Sequence, residues 1–389
     1  MIPEYYEFQN KTKILSGKNA LENIAFELLA RGAKAPAILT NSRGLENIVT
    51  SSFEGKGLAA GLIRKNIPAD APVKTINQIA ADFKNNGCDS IVAIGGGSVI
   101  DTAKGLYLMA AHESDDVLKL SGSECVKAGK NIPFIAVPTT SGAGSEATLA
   151  AVIADEENGK KLAFLSYSLV PDVAVLDVKT TKSLPPKLAA STGMDALTHA
   201  IEAYTCLQKN PLSDAYATAA ISLIGENLPL VVQNPTDDAR LAMANASLMA
   251  GVAFSNSMVG IVHAVAHACG GICKTPHANA VAVLLTRCME FNLDVCGELY
   301  AELLLPFSGP EIYASTPAPK RAVRFITETQ ALLQVLHRRG RLPLKLSECG
   351  ITAEKLPRIA AAAINDGAIL LNRKEATEED IMEILIKAM

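Results

Sequence analysis

The first 180 residues alternate short runs of β-branched and aliphatic residues with segments of helical periodicity, and this alternation most constrains the fold. The runs have the length of buried strands and are Ala37–Thr40, Gly61–Arg64, Ser90–Ile94, Phe134–Val137 and Val173–Leu176. Strands that alternate with helices pair in parallel, because the chain crosses back along a helix before it forms the next strand. The alternation therefore predicts an α/β fold with a parallel sheet.

The pattern changes after Ser183, where long segments rich in alanine and leucine have a helical period and few strand candidates follow. A chain of 389 residues also exceeds the size at which single cores stop growing, about 250–300 residues. We therefore expect an α/β domain over residues 1–180 and an all-α domain over residues 181–389. Within the first domain, the Asn-Gly pair inside residues 150–166 predicts a hairpin of two further strands, which we expect at the edge of the sheet.

Charge and cysteine content narrow the partners and the compartment. A formal net charge of −4 and a pI near 5.9 give no broad basic surface, so we expect no binding to nucleic acid or to a membrane. The N-terminus has no apolar run of signal length and the eight cysteines are scattered, so we expect free thiols in the cytoplasm. The uncharged stretch Ser247–Cys273 is long enough to cross a bilayer, but its polar interruptions favour two buried helices.

The strand at 90–94 runs directly into three glycines and then into a helical pattern. The loop consists of Gly95, Gly96, Gly97 and Ser98, and Asp101 lies one turn into the helix. Glycines let the backbone approach a ligand closely, and a helix N-terminus offers unpaired N–H groups, so we predict that the loop binds a pyrophosphate. The loop lacks the G-x-G-x-x-G pattern of the usual dinucleotide fold, and a plain strand-to-helix turn is the alternative.

A second loop, rich in hydroxyls and glycine, follows the strand at 134–137. It begins with Pro138, Thr139 and Thr140 and runs to Glu146. Open α/β sheets bind ligands at the carboxyl ends of their strands, so two such loops in one sheet support each other. The alternative is a Ser/Thr-rich connection that caps the next element.

A polar stripe interrupts the otherwise apolar helical segment at 193–204. Asp195, His199 and Glu202 recur at i, i+4 and i+7 and therefore share one face of the predicted helix. Buried carboxylates and imidazoles need partners, either each other or a metal ion. Taken alone, this motif favours an Asp–His hydrogen bond over a metal site.

A second helical segment adds His263 and His267 one turn apart, and His277 follows ten residues later. One carboxylate with several neutral imidazoles is a suitable donor set for Fe²⁺ or Zn²⁺. Five candidate ligands exceed the four of an ordinary site, so we expect one histidine to transfer protons instead. A thiolate site built from Cys269, Cys273 and His277 is the alternative in this segment.

In combination these motifs resemble the iron-containing (group III) alcohol dehydrogenase family over nearly the whole chain. The resemblance implies a Rossmann-like dinucleotide-binding domain followed by a metal-binding and substrate domain. It implies that the metal ligands are Asp195, His199, His263 and His277, and that Phe254 and His267 lie beside nicotinamide and substrate. It implies cofactor contacts at Ser42, Gly95, Gly96, Gly97, Ser98, Asp101, Thr139, Thr140 and Lys161. His267 is our candidate for the proton relay.

The chain departs from the family pattern at three places. Ala278 and Val281 stand where the family usually has glycine and asparagine after the last histidine ligand, and residues 297–345 resemble the family only loosely. The family commonly has an acidic residue after its first strand, where it would repel a 2′-phosphate. Here Ser42 is followed by Arg43, so the sequence leaves both NAD and NADP open.

The resemblance implies a metal-dependent oxidoreductase that transfers a hydride between a primary alcohol or diol, or the matching aldehyde, and NAD(P). We expect Fe²⁺, with Zn²⁺ as the alternative, and a homo-oligomer that is a dimer or larger. Rival functions are a zinc polyol or glycerol-type dehydrogenase, a dehydroquinate-synthase-like lyase, a maleylacetate-reductase-like enzyme, a metal-dependent hydrolase and a non-catalytic metal-binding module.

Overall fold

All five runs predicted as strands belong to one parallel sheet in the computed structural model, which describes residues 3–121 and 129–389. The strands are β1 (Lys13–Ser16), β2 (Pro36–Thr40), β3 (Leu62–Lys65), β4 (Ser90–Gly95), β5 (Phe134–Pro138), β6 (Ala150–Asp155), β7 (Lys160–Leu165) and β8 (Val173–Leu176). The six-stranded sheet has the order β1-β8-β5-β4-β2-β3, with every neighbouring pair parallel. The sequence analysis missed β1, because three of its four side chains are exposed and give no hydrophobic signal.

Both faces of this sheet are covered, since β2, β4 and β5 are buried at every residue. The helices of this part of the chain are α1 (Ile24–Ala30), α2 (Leu45–Ser51), α3 (Val73–Asn85), α4 (Gly97–His112) and α5 (Val178–Thr181). Alternate strand residues point to opposite faces: Ile38 and Val92 join the core cluster that contains α1, whereas Ala37 and Ile91 join the one that contains α3 and α4.

The strand order creates a switch point between β2 and β4. The chain goes from β2 outward to β3, and then crosses back to the other side of β2 to form β4. Thr40 lies opposite Ile94, and Gly95 lies opposite Pro138, so the carboxyl ends of β2, β4 and β5 lie side by side. Ligands of open α/β sheets bind outside the strands at such a point.

The hairpin at 150–166 forms as predicted, but its expected position is wrong. β6 and β7 form a separate two-stranded antiparallel sheet and do not extend the edge of the large sheet. Ala151, Ile153 and Phe164 instead pack in one cluster with Ile76 of α3 and Leu108 of α4. The hairpin therefore buries its apolar face on helices, which a pattern of alternating residues does not distinguish from burial beside an edge strand.

The rest of the chain is mostly helical, and the predicted fold class is confirmed. The helices are α6 (Pro186–Thr205), α7 (Pro211–Gln233), α8 (Asp237–Ser257), α9 (Ile261–Cys273), α10 (His277–Phe291), α11 (Leu293–Ser315), α12 (Arg321–Gly340), α13 (Leu356–Ala363) and α14 (Glu378–Ala388). One large apolar cluster contains residues from all nine of these helices. The loosely matching segment 297–345 contains most of α11, which kinks at Gly309, and all of α12.

Two compact units result. One comprises Gln9–Thr140 and Gly144–Ser183, and the other comprises the N-terminal residues up to Phe8, Ser141–Ala143 and Leu184–Met389. Dinucleotide binding by residues 1–180 and metal and substrate binding by residues 181–389 stay predictions.

Within residues 3–121 and 129–389, two segments have the length and apolarity of a membrane span. α7 passes this test by itself, and α8 with α9 passes it only as a pair, whose axes meet at 101°. The uncharged stretch therefore forms two helices, as predicted, with a sharp bend where Met258 has a positive φ of 71°. Core helices have the same length and apolarity, so these segments do not by themselves indicate a membrane.

Candidate metal and cofactor sites

Helix α6 presents the predicted polar stripe to the interior. Pro186 is well suited to the first helical position, and the following residues are mostly alanine, leucine and isoleucine. Asp195, His199 and Glu202 are 4%, 6% and 5% exposed, so all three polar side chains are removed from water within an apolar cluster. Such groups are stable only with polar or ionic partners.

Two other helices, α9 and α10, bring the remaining histidines to the same place. His263 of α9 is buried, and His277 is the first residue of α10, with a side chain that is 37% exposed. One oxygen, Asp195 Oδ1, lies 3.9 Å from His199 Nδ1, 3.9 Å from His263 Nε2 and 3.7 Å from His277 Nε2. These distances are too long for hydrogen bonds, so the Asp–His alternative is not realised.

Three atoms of this group have no hydrogen-bond partner among the residues that the structure describes. They are Asp195 Oδ1, His199 Nδ1 and His263 Nε2, and all three are buried. An unsatisfied buried polar atom costs about 1–3 kcal/mol, and a bound cation would remove that cost for each. Ligands held about 2.0–2.2 Å from a tetrahedral ion are about 3.3–3.6 Å apart, close to the separations found here. The residues therefore fit a divalent metal.

The fit is tightest for three of the four predicted ligands. Candidate ligand atoms of Asp195, His263 and His277 all lie within 4.8 Å of one another. His199 is outside this set, and its ring stacks on Phe254 with centroids 4.3 Å apart and on His263 with centroids 4.4 Å apart. The structure thus places Phe254 beside the group, and His199 as a fourth ligand stays a prediction.

Burial sets the protonation of this group. It raises the pKa of Asp195 to about 6, against the lowering effect of His263 and His267. It also lowers the pKa of His199 well below its usual value, so the ring is neutral and its lone pair is available. Burial acts to lower the pKa of His263 as well, but the hydrogen bond and the charge of Glu202 outweigh it and raise that pKa.

His267 lies at the exposed side of the site. Its side chain is 43% exposed, and its ring stacks with that of His277 at 5.3 Å between centroids. Its Nδ1 lies 3.0 Å from Asp366 Oδ2, a carboxylate that the sequence analysis did not identify. Asp366 stands 99 residues further along the chain, so no local pattern links the two.

The thiolate alternative does not fit. Cys269 is fully buried, and the group of described residues that could hold a metal ion joins His277 to Asp195 and His263 and includes no cysteine. The seven cysteines within the described part of the chain are free thiols, as expected, and Cys125 lies outside the described residues.

The predicted cofactor loops occupy the carboxyl ends of β4 and β5. Gly95 ends β4, Gly97 begins α4, and no side chain caps the first turn of that helix. Thr139 donates its N–H to the Gly95 carbonyl at 3.0 Å, and a Cβ at Gly96 would stand 3.3 Å from Thr140 Oγ1. Glycine therefore permits the two loops to approach, and the open helix terminus is suited to an anion.

The other predicted cofactor residues surround this region. Ser42 follows β2, on the opposite side of the switch point from the glycine loop. Ser98 Oγ accepts the N–H of Asp70, whose carboxylate pairs with Lys161 at 2.8 Å. Lys161 is therefore linked to the glycine loop through Asp70.

Asp101, Lys104 and Glu146 form a buried charge cluster beside the two loops. Lys104 is fully buried, and its Nζ donates to the Thr148 carbonyl, the Thr148 hydroxyl and the Ala150 carbonyl. Burial raises the pKa of Asp101 to about 6 and lowers that of Lys104 to about 8. It raises the pKa of Glu146 to about 7, and Glu146 Oε1 has no partner among the described residues.

Replacing Glu146 with glutamine is expected to make the stability of the chain less dependent on pH. The folded chain holds the Glu146 proton up to about pH 7, whereas the ordinary pKa is 4.5, so the folded state binds more protons between these values. Stability therefore falls as pH rises from about 4.5 to about 7, by about 3 kcal/mol. Denaturant unfolding at pH 5 and pH 8 measures the difference. Glu156→Gln, at an exposed position of the β6–β7 turn, is the matched control, and equal pH dependence of the two variants would contradict the assignment.

Comparisons with known proteins agree on one family. Residues 11–178 match the family described as iron-containing alcohol dehydrogenase, and residues 189–389 match the C-terminal part of the Fe-containing alcohol dehydrogenase family. The chain is 33% identical over 380 residues to NAD-dependent methanol dehydrogenase of Bacillus methanolicus, covering 96% of this chain and 97% of that protein. It is 33% identical over 377 residues to lactaldehyde reductase of Escherichia coli K12, covering 95% of each. A crystal structure of 1,3-propanediol oxidoreductase aligns with a TM-score of 0.91 and 30% identity, covering 99% of this chain and 100% of that one.

Proposed function

The chain belongs to the iron-containing alcohol dehydrogenase family, and we propose that it interconverts primary alcohols or diols and the matching aldehydes with NAD or NADP as hydride carrier. The observation that most supports a metal-dependent reaction is the set of buried, unpartnered atoms around Asp195 Oδ1. No other polar cluster in the described residues combines a carboxylate and imidazoles at ligand spacing.

Asp195, His199, His263 and His277 would hold the divalent ion. When bound, the ion acts as a Lewis acid toward the alcohol or carbonyl oxygen. Asp195 contributes one negative charge, so the site keeps a net positive charge beside that oxygen. The buried side of the site excludes water through the apolar cluster around α6 and α9, and the substrate would enter from the side of His277, which is partly exposed.

His267 would move the proton that the alcohol loses. Its Nδ1 contacts Asp366 Oδ2, which favours a proton on Nδ1 and leaves Nε2 as the acceptor. An imidazole at 43% exposure can pass a proton on to solvent. The glycine loop and the first turn of α4 would bind the cofactor pyrophosphate, and Phe254 would lie beside the nicotinamide and substrate.

The test is a screen of NAD(P)H absorbance over short primary alcohols, diols and aldehydes, with the protein loaded with Fe²⁺ or Zn²⁺. Reduced cofactor should accumulate with an alcohol. A lyase that regenerates its NAD would not accumulate it, and a hydrolase would not quench nicotinamide fluorescence on binding. Comparing the two metals also distinguishes Fe²⁺, which we propose, from Zn²⁺.

The choice between NAD and NADP can be tested at Ser42. The loop after β2 contains Ser42 and Arg43 and no acidic residue, so nothing there repels a 2′-phosphate. Ser42→Asp is expected to raise KM for NADP by about 10-fold or more and to change KM for NAD little, because a carboxylate repels the phosphate but accepts a ribose hydroxyl. Initial-rate kinetics with both cofactors measure this, and equal effects on the two would remove Ser42 from the adenosine site.

We also propose that the enzyme is a cytoplasmic homo-oligomer. Free thiols support a reducing compartment. Apolar side chains such as Leu207, Leu370 and Ile386, which are 53%, 76% and 57% exposed, are candidates for burial between subunits. Light scattering during size-exclusion chromatography measures the subunit count, and a monomer at micromolar concentration would contradict the proposal.

A further inference from the structure

Both oxygens of the Glu202 carboxylate contact one turn of another helix. Oε1 accepts the backbone N–H of Val262 at 2.7 Å, and Oε2 lies 2.5 Å from His263 Nδ1. Glu202 belongs to α6, whereas Val262 and His263 are the second and third residues of α9. The carboxylate is buried, so neither contact is replaced by water.

We propose that Glu202 is a positioning residue that fixes the tautomer and orientation of His263 for metal binding; this inference rests on the proposed metal-dependent function. An ionised carboxylate can only accept a hydrogen bond, so His263 Nδ1 must carry a proton. A neutral ring protonated at Nδ1 has its lone pair at Nε2. That nitrogen lies on the other side of the ring, 3.9 Å from Asp195 Oδ1, and has no hydrogen-bond partner in the described chain.

The other contact of Glu202, the hydrogen bond that Oε1 accepts from the Val262 N–H, holds the start of α9 against the carboxylate. Gly260, at the start of α9, supplies no capping side chain, and Glu202 takes the place of one by accepting the Val262 N–H. A Cβ at Gly260 would stand 3.2 Å from Glu202 Oε1, so glycine permits the close approach. One carboxylate thus holds both the backbone and the ring of the residue that presents Nε2.

If Glu202 only capped α9, it would be a structural residue and would not affect metal binding directly. One substitution separates this capping role from the positioning of His263. Glu202→Gln keeps the size of the side chain and a carbonyl oxygen for Val262. Its NH₂ group, however, donates toward His263 Nδ1, which favours the opposite tautomer with the proton on Nε2. The substitution therefore preserves the cap and removes the lone pair from the metal side.

Metal affinity of the full, metal-free chain distinguishes the roles. We measure Zn²⁺ binding by competition with a chromophoric chelator and, in parallel, thermal unfolding without metal. Glu202→Gln is expected to weaken Zn²⁺ binding about 10–100-fold with little change in the melting temperature of the metal-free protein. Asp366→Asn is the matched control, because it changes the partner of His267, one turn away on the same helix, and is expected to leave Zn²⁺ affinity within about 2-fold.

Glu202→Asp keeps the charge on a shorter side chain, and affinity above that of Glu202→Gln supports the proposal even if the glutamine variant folds poorly. Equal Zn²⁺ affinity in wild type and Glu202→Gln would overturn the role of Glu202 and leave the metal site intact. If Glu202→Gln and Glu202→Asp weaken Zn²⁺ binding equally and both lower the melting temperature of the metal-free protein, Glu202 acts only as a structural cap, which would overturn the proposal. A wild-type chain that binds no Zn²⁺ or Fe²⁺ would overturn the proposed function itself.

Discussion

Asp195→Asn is expected to lower kcat/KM for alcohol oxidation by about 10³-fold or more and to remove most of the bound metal. Nitrogen atoms of His199, His263 and His277 lie 3.7–3.9 Å from Asp195 Oδ1, so all three imidazoles face this one oxygen. Asparagine keeps the shape of the side chain but removes the only negative charge of the predicted ligand set. Loss of a Lewis acid that stabilises the transition state by about 4 kcal/mol corresponds to about 10³ in rate.

Metal content by elemental analysis and initial rates on the same preparation measure both effects. Asp238→Asn, at an exposed position in the first turn of α8, is the matched control for loss of a carboxylate from the helical unit. Removing the metal from the wild-type chain with a chelator should reproduce the loss of activity, and restoring Fe²⁺, Zn²⁺, Mn²⁺ or Ni²⁺ separately should recover it to different extents. Full activity after metal removal would contradict the proposed mechanism.

His267→Phe is expected to lower kcat by about 10²–10⁴-fold while the metal content stays near that of wild type. Phenylalanine keeps an aromatic ring against His277, whose centroid is 5.3 Å away, but it cannot carry a proton. His267 also lies outside the group of Asp195, His263 and His277, whose candidate ligand atoms are all within 4.8 Å of one another. We therefore expect the substitution to impair proton transfer and to leave metal binding largely intact.

The same two measurements, kcat and metal content, decide between relay and ligand. Loss of the metal from His267→Phe would make His267 a ligand. Wild-type turnover would remove it from catalysis. Asp366→Asn should lower kcat less than His267→Phe, because the imidazole remains and loses only the carboxylate that contacts its Nδ1 at 3.0 Å. Added imidazole is expected to restore part of the activity of His267→Phe, since a small base can occupy an exposed site.

Features that depend on neighbours in sequence were predicted well. The strands at 90–94 and 134–137 were recognised because a strand buried on both faces needs an unbroken apolar run. The stripe of Asp195 and His199 was recognised because four residues make about one turn of a helix. In both cases the residues that form the pattern lie in a single strand or helix, so the pattern can be read without knowledge of the tertiary structure.

Features that depend on contacts between distant residues were not predictable in the same way. The β6–β7 hairpin was correctly identified but wrongly placed, because its turn sequence determines its local shape and not the surface on which it packs. β1 was missed because its partner β8 lies about 160 residues away and its own side chains are mostly exposed.

By itself, the chain's sequence determined most of the order of strands and helices, the two glycine-containing loops at strand ends and the polar side chains available to a metal. Only the tertiary structure decided which of those side chains meet. It placed Asp195 Oδ1 3.7–3.9 Å from nitrogen atoms of three imidazoles and stacked His199 on Phe254. It also brought Glu202 to His263 and Asp366 to His267, which are 61 and 99 residues apart in the chain. The physical reason is that helical periodicity specifies the face of one helix, whereas the angle and register of packing between helices specify which atoms of two faces come within bonding distance.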